Sequence, residues 1–273
     1  VNRRALRRAG LLLMLFMAPS ADAAELSVAA ASNFSYALGE IVTAFETVHP
    51  EVSVSVSYGS SGNFYAQLQA GAPYDIFLSA DMVYPRRLAG AGFALDGEVF
   101  TYAIGHIVLW VPGTSPLDVA SLGMRALLGP SVRKIAIANP GLAPYGAAAQ
   151  AAMKSFGVYA RARPKLILGE NIAQTAQFVQ SGAADIGILA KSLALGPRMR
   201  KAGRFWEIPQ RAHAAIEQGG IILAGTRHPG EARALRDFIH SRRGAVILER
   251  YGYARPGSPA GEGGETWTGK PSG

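Results

Sequence analysis

Short apolar, β-compatible runs alternate with amphipathic helical runs from Glu25 to Tyr251, and this alternation restricts the chain to α/β architectures with helices packed on parallel strands. Glu25–Ala31 is a short apolar strand, and Leu38, Ile41, Val42 and Phe45 then recur at helical spacing until Pro50 stops the helix. Val52, Val54, Val56 and Tyr58 alternate with Ser53, Ser55 and Ser57, which is the pattern of a half-buried strand. A short helix follows from Gly62 to Ala70, stopped by Gly71 and Pro73. Asp75–Ala80, Ile107–Val111, Lys134–Ala138, Lys165–Leu168, Asp185–Ala190 and Gly220–Ala224 read as further strands, and Arg233–Tyr251 closes as helix.

About 230 residues of such repeats exceed the ~100–150 of one ordinary domain, so two lobes are expected. Gly-bearing stretches at Tyr102–Gly105 and Glu217–Gly220 suit chain crossings between them. The expected division is residues 24–104 for the first part of lobe 1, 105–219 for lobe 2, 220–253 for the return to lobe 1, and 254–273 for a disordered tail rich in Gly and Pro.

The opening residues bear on where such a chain works. Arg3, Arg4, Arg7 and Arg8 precede the apolar run Gly10–Ala18, and the small-residue site Ala21-Asp22-Ala23 follows, the layout of a signal peptide cleaved near Ala23 and hence of an exported protein. The run is too short to span a bilayer, which takes about 20 apolar residues. The paired arginines leave twin-Arg export open beside the general route. The formal charge of +8 raises the question of a nucleic-acid partner, but loss of this segment leaves only mild basicity. The cluster Arg198, Arg200, Lys201 and Arg204 carries no interleaved aromatic residues for base stacking and reads as a solvated face. No nucleic-acid partner is expected.

No catalytic constellation is visible. Zero Cys removes thiol nucleophiles and thiolate metal sites, and the five His form neither HxxxH nor HExxH pairs, so no direct protein–metal bonds and no cofactor are expected. GxSxG, GxGxxG and GxxxxGK[ST] are absent. Asp75, Asp81 and Asp185 stand at strand ends, where carboxylates act as acids or bases but also cap turns and helices.

A different signal recurs four times: a strand ends in small or hydroxyl residues and a helix begins at once. Ala29–Asn33, Gly59–Gly62, Ala143–Gly146 and Glu170–Ile172 all have this form. The first N–H groups of a helix lack intrahelical partners and lie at the positive end of its dipole, so several such ends facing one cleft would bind an anion through neutral donors. Ordinary capping explains any one of them equally well.

The motifs Ala29-Ala-Ala-Ser-Asn33, Tyr58-Gly-Ser-Ser-Gly62, Ala70-Gly-Ala-Pro-Tyr-Asp-Ile-Phe-Leu-Ser-Ala-Asp81, Asn139-Pro140 with Ala143-Pro-Tyr-Gly146, and Glu249-Arg-Tyr-Gly-Tyr253 resemble the molybdate-binding proteins of ABC importers, over about Glu25 to Tyr253. The resemblance implies a two-lobed periplasmic binding protein fold, each lobe a mainly parallel sheet flanked by helices, with molybdate or tungstate in the interlobe cleft. It implies a monomer that is no enzyme and that delivers the oxyanion to an inner-membrane permease. Carried over motif by motif, Ser32 and Ser61 supply hydroxyl and backbone donors, Asn33 adds its N–H, and Tyr145 and Ile172 supply backbone N–H groups from the second lobe. Some members place a Tyr donor where this chain has Ala190. The expectation is that Asn33 compensates, with Lys191 as a further candidate.

Two other readings compete. Sulfate or phosphate would use the same helix ends, sulfate being separated from molybdate by size and phosphate by its need for an acceptor for its P–OH. A secreted hydrolase with Ser32 or Ser61 as nucleophile would need a distant His and Asp.

Overall fold

The computed structural model describes residues 24–257 and 266–267, so the expected signal peptide and most of the expected tail lie outside the described residues. The first lobe opens with β1 (Ala24–Ala31), a 3-10 turn (Ser32–Phe34), α1 (Ser35–Val48), β2 (Val52–Gly59), α2 (Ser61–Gln69), β3 (Ile76–Ser79), α3 (Val83–Gly90) and β4 (Ala94–Gly105). The second lobe comprises β5 (Ile107–Pro112), α4 (Val119–Leu122), β6 (Ile135–Ala138), α5 (Pro144–Ser155), α6 (Tyr159–Ala162), β7 (Leu166–Gly169), α7 (Ile172–Gln180), β8 (Ile186–Ala190), α8 (Lys191–Ala194), α9 (Pro197–Ala202) and β9 (Gly203–Glu207). The chain then returns through β10 (Ile216–Leu223), α10 (Pro229–His240) and α11 (Arg242–Arg250), and β11 (Thr266–Trp267) is a last short strand.

The first sheet has the order β2-β1-β3-β10-β4 and the second β11-β9-β5-β8-β6-β7. Both are mixed. β1 pairs in parallel with β2 and β3, whereas β10 runs antiparallel to β3 and β4. In the second sheet β6 is parallel to β7 and β8, whereas β5 is antiparallel to β8 and β9. The parallel half of each sheet matches the expected architecture, and the antiparallel half joins two strands that the pattern announced, β10 and β5, to two that it did not, β4 and β9. β4 is broken in character by Asp96, at φ 53, followed by Gly97 at φ 71, and its middle is exposed. β9 reads Gly-Arg-Phe-Trp-Glu directly after a basic helix.

Alternation along β1 decides how the first lobe packs. Leu26, Val28 and Ala30 point into a core shared with Leu38, Ile41 and Phe45 of α1, Leu235 of α10 and Leu248 of α11. Ala29 faces the other side, against Phe64 and Leu68 of α2 and Leu88 of α3. The second lobe buries Leu109, Ile137 and Ile188 with Ala149 and Met153 of α5 and Val179 of α7. The helix expected over Arg233–Tyr251 is two helices, because Ser241 is extended (φ −64, ψ 164) and its Oγ accepts from the N–H of Gly244, capping α11.

The outward crossing lies at His106, between β4 and β5. The return lies ahead of the expected 219/220 boundary, since Ile216–Gly219 already belongs to β10 in the first sheet. Ala254, expected in the tail, is instead tied to Ile104 by two backbone hydrogen bonds (2.8 and 2.9 Å). Thr266–Trp267 pairs antiparallel with β9. Among the described residues no helix is long and apolar enough to cross a membrane.

Candidate functional site

The carboxyl ends of the parallel strands of both lobes meet across one cleft, the position at which open α/β sheets bind ligands. β1 delivers Ser32 and Asn33, β2 delivers Ser60 and Ser61, and β3 delivers Ala80. From the second lobe, the loops after β6 and β7 deliver Ala143–Tyr145 and Ile172 at the starts of α5 and α7. Together these residues line a small cavity of about 10 Å³. No charged side chain is among its lining residues.

All five residues expected at the site, Ser32, Asn33, Ser61, Tyr145 and Ile172, lie on this cavity. Among the described residues their main-chain N–H groups have no hydrogen-bond acceptor within the protein. Ser61, Tyr145 and Ile172 stand in the first turns of α2, α5 and α7, where such donors are orphaned by helix geometry. Buried donors without partners are costly, and here five gather around one small cavity. Pro144 at the start of α5 presets the helical φ and removes a competing N–H.

The two serines of Gly59-Ser-Ser-Gly62 do different work. Ser60 is the N-cap of α2, its Oγ accepting from Asn63 N–H at 3.3 Å. Ser61 Oγ accepts from Ala80 N–H at 2.9 Å, which leaves its own hydroxyl proton to donate. Ser32 Oγ reaches across the cleft, donating to Asn171 Oδ1 (3.2 Å) and accepting from Ala173 N–H (3.3 Å) at the start of α7. The lobes also touch where Gly62 N–H donates to Leu142 O (2.9 Å) and Asn63 Nδ2 to Glu170 Oε1 (2.7 Å).

The structure bears on three residues around the site, Asn33, Ala190 and Lys191. The Asn33 amide does not stand in for a phenol at Ala190, because its NH2 group is used inside the protein, donating to Gln218 Oε1 (2.7 Å), Tyr253 Oη (2.8 Å) and Tyr145 Oη (3.4 Å). Ala190 is fully buried at the start of α8 and does not line the cavity. Lys191 turns away as well, its Nζ pairing with the buried Glu207 at 2.5 Å, beside His106 at 3.5 Å. Burial pulls the His106 imidazole below its ordinary pKa, with Glu207 opposing the shift.

The strand-end aspartates are structural. Asp81 accepts from the N–H groups of Val83 and Tyr84, Asp75 from Ser27 N–H and the Thr226 hydroxyl, and Asp185 from the N–H groups of Arg133 and Lys134. Burial raises the Asp81 pKa against these hydrogen bonds. Among the described residues neither Ser32 nor Ser61 has a His or carboxylate partner, so a serine hydrolase would lack its base. Groups of three or more His, Asp or Glu fit to hold a metal are also absent among the described residues.

Residues 26–254 match the family described as bacterial extracellular solute-binding protein. The chain is 37% identical over 245 residues to the molybdate-binding protein ModA of Rhodobacter capsulatus, covering 89% of this chain and 93% of the relative. It is 36% identical to ModA of Azotobacter vinelandii, over 87% of this chain and 92% of the relative. The chain belongs to the ModA family of molybdate-binding proteins.

The solved structure of the periplasmic molybdate-binding protein of Azotobacter vinelandii superposes on this ModA-family chain with a TM-score of 0.79 at 33% identity, over 85% of this chain and 99% of that one. The sulfate-binding protein SubI of Mycobacterium tuberculosis shares the fold at 16% identity, with a TM-score of 0.71. For this ModA-family member the residues that sequence reasoning missed are those behind the cavity. Asn171 was read only as a helix opener, and Gln218 stood in a stretch read as a chain crossing.

Proposed function

We propose that this chain is the substrate-binding component of an ABC importer, capturing molybdate, and tungstate with it, in the periplasm and delivering the oxyanion to a membrane permease. The observation that carries this reading is the convergence of five unpartnered main-chain N–H groups on one small cavity lined by neutral residues. Such a shell suits a fully deprotonated tetrahedral dianion, since every contact is a donor and no acidic side chain is present to accept a ligand proton. Ser61 adds a hydroxyl donor. Ser32 adds a second when its hydroxyl turns from Asn171 to the anion.

Capture works by differential contact. Ser32, Asn33 and Ser61 belong to one lobe and Tyr145 and Ile172 to the other, so the donor set is complete only when the lobes close. The ligand therefore stabilises the closed state, and that state is the one a permease would recognise.

Two measurements test the reading. Molybdate is expected to raise the thermal midpoint of the protein while equimolar sulfate does not, because a ligand held only by the native state stabilises it in proportion to the logarithm of its concentration over Kd. Equal shifts would transfer the assignment to sulfate, whose shorter bonds need a smaller shell.

Ser61→Ala is expected to weaken molybdate binding by about 1.5–3 kcal/mol, the scale of a hydrogen bond to a charged group, and to leave Ala80 N–H unpaired as well. Ser60→Ala removes only a helix cap, so its effect is a loss of about 1 kcal/mol in stability with Kd nearly unchanged. Calorimetric titration of both variants gives the comparison, and an unchanged Kd for Ser61→Ala would take Ser61 out of the site.

A further inference from the structure

Directly behind the cavity lies a buried polar network centred on Gln218, which is 0% exposed. The ladder between β10 and β4 shifts register at Gln218/Gly219, an irregularity of the kind that re-aims a side chain beside a functional site. Gln218 Nε2 donates to Ile216 O (2.9 Å) and Ala80 O (3.2 Å). Both acceptors are carbonyls, so the orientation of the amide is determined and Oε1 must face Asn33, whose Nδ2 donates to it at 2.7 Å. Asn33 then has its amide orientation dictated in turn, and its Oδ1 is left buried without a partner. A buried unpaired carbonyl oxygen is destabilising, so the fold keeps this arrangement at a cost.

The network touches the donors of the cavity at three points. Ala80, held through its carbonyl by Gln218, gives its N–H to Ser61 Oγ. The Asn33 side chain is held by Gln218 and Tyr253 from the first lobe and approaches the Tyr145 phenol from the second. The Asn33 carbonyl accepts from Tyr253 Oη (2.9 Å) and, across the lobes, from Ser192 Oγ (2.8 Å). Burial holds the phenols of Tyr145 and Tyr253 well above their ordinary pKa, so both remain neutral hydrogen-bonding groups. The site is also adjacent to the crossing, because a Cβ on Gly105 would overlap the Tyr145 hydroxyl and come within 2.9 Å of Gln218 Nε2.

We propose that Gln218 is a positioning residue that aligns the lobe 1 donors at Asn33 and Ser61 and, through Asn33 and the Tyr145 phenol, ties their alignment to lobe closure. The inference rests on the oxyanion reading above and names how that site is held shut. Loss of the tether shortens the life of the closed complex, because the contact between Asn33 and the Tyr145 phenol joins the two lobes and is made only when they are together. The expected signature is therefore a faster dissociation rate at an unchanged association rate.

The test compares wild type, Gln218→Met and Tyr145→Phe by stopped-flow binding of molybdate and by small-angle scattering with and without it. Tyr145→Phe keeps every main-chain donor and removes only the phenol, so it reads the coupling even where Gln218→Met fails to fold. Dissociation about tenfold faster in the variants, the scale of one buried hydrogen bond, with reduced compaction on ligand addition, is the expected result. A role in fold stability alone would lower the apo thermal midpoint and leave both rates at their wild-type values. Wild-type rates in a folded variant overturn this inference alone, whereas a wild type that does not bind molybdate overturns the ligand reading and this inference together.

Discussion

Gly62→Ala is expected to weaken molybdate binding by roughly five- to 150-fold, the equivalent of about 1–3 kcal/mol of overpacking, while leaving the unliganded protein as stable as wild type. Gly62 stands in the first turn of α2, in the first lobe, and its N–H donates to Leu142 O of the second. A Cβ here would lie 2.9 Å from that carbonyl oxygen, 3.1 Å from Leu142 Cα and 3.0 Å from the Tyr84 hydroxyl. The tyrosine can move, but the Leu142 backbone cannot without carrying the loop that leads into α5. With the lobes apart the added methyl meets only the Tyr84 side chain of its own lobe, which can swing aside, so most of the penalty falls on the closed state and appears in Kd. Gly39→Ala is the matched control, since nothing lies within 4 Å of a Cβ there. Wild-type affinity in Gly62→Ala, measured by calorimetry, would mean that the bound state does not bring α2 against Leu142.

Gly146→Ala has the largest expected effect on the fold. A Cβ at this position would overlap the Ala138 carbonyl and approach Asn139 C at 3.0 Å, so the first turn of α5 must lift away from the end of β6. Both obstacles are main chain, and the cost is therefore placed at about 3 kcal/mol, the upper end of the overpacking range. For a chain of this size that corresponds to a fall in the thermal midpoint of roughly 6–12 °C. Binding should suffer as well, because the displaced turn carries Tyr145 N–H. A thermal melt and a titration on the same preparation separate the two effects, and an unchanged midpoint would show that α5 has slack that the packed geometry does not allow for.

Both glycines stood inside motifs visible in the sequence, Gly59-Ser-Ser-Gly62 and Ala143-Pro-Tyr-Gly146, yet their reasons differ. Gly62 is small because the opposite lobe arrives against it, and Gly146 because its own strand does. A string of letters records that the residue is small and not which neighbour requires it.

The chain's own pattern determined the βα units, because period-two and period-3.6 burial is a local property of a strand or a helix on a core. Helix starts were legible for the same reason: Ser60, Pro144 and Asn171 act on N–H groups within three residues of themselves or on their own φ. The five residues that line the cavity were carried over from the family resemblance onto motifs that these local signals mark.

What the pattern could not decide was any pairing between distant segments. β4 and β9 escaped notice because one is interrupted by Asp96-Gly97 and the other is short and follows a basic helix, and with them went the antiparallel pairings β10–β4 and β5–β9. That the Asn33 side chain is tied up inside the protein was not legible, because Gln218 and Tyr253, its partners, lie 185 and 220 residues away. Lys191 was a candidate for the anion until Glu207, on another strand, took its charge. Local sequence sets where donors are left without partners, since helix geometry orphans them within a single turn. Which of those donors face one another is decided by tertiary structure alone, because it depends on sheet order and on contacts between lobes that no local spacing encodes.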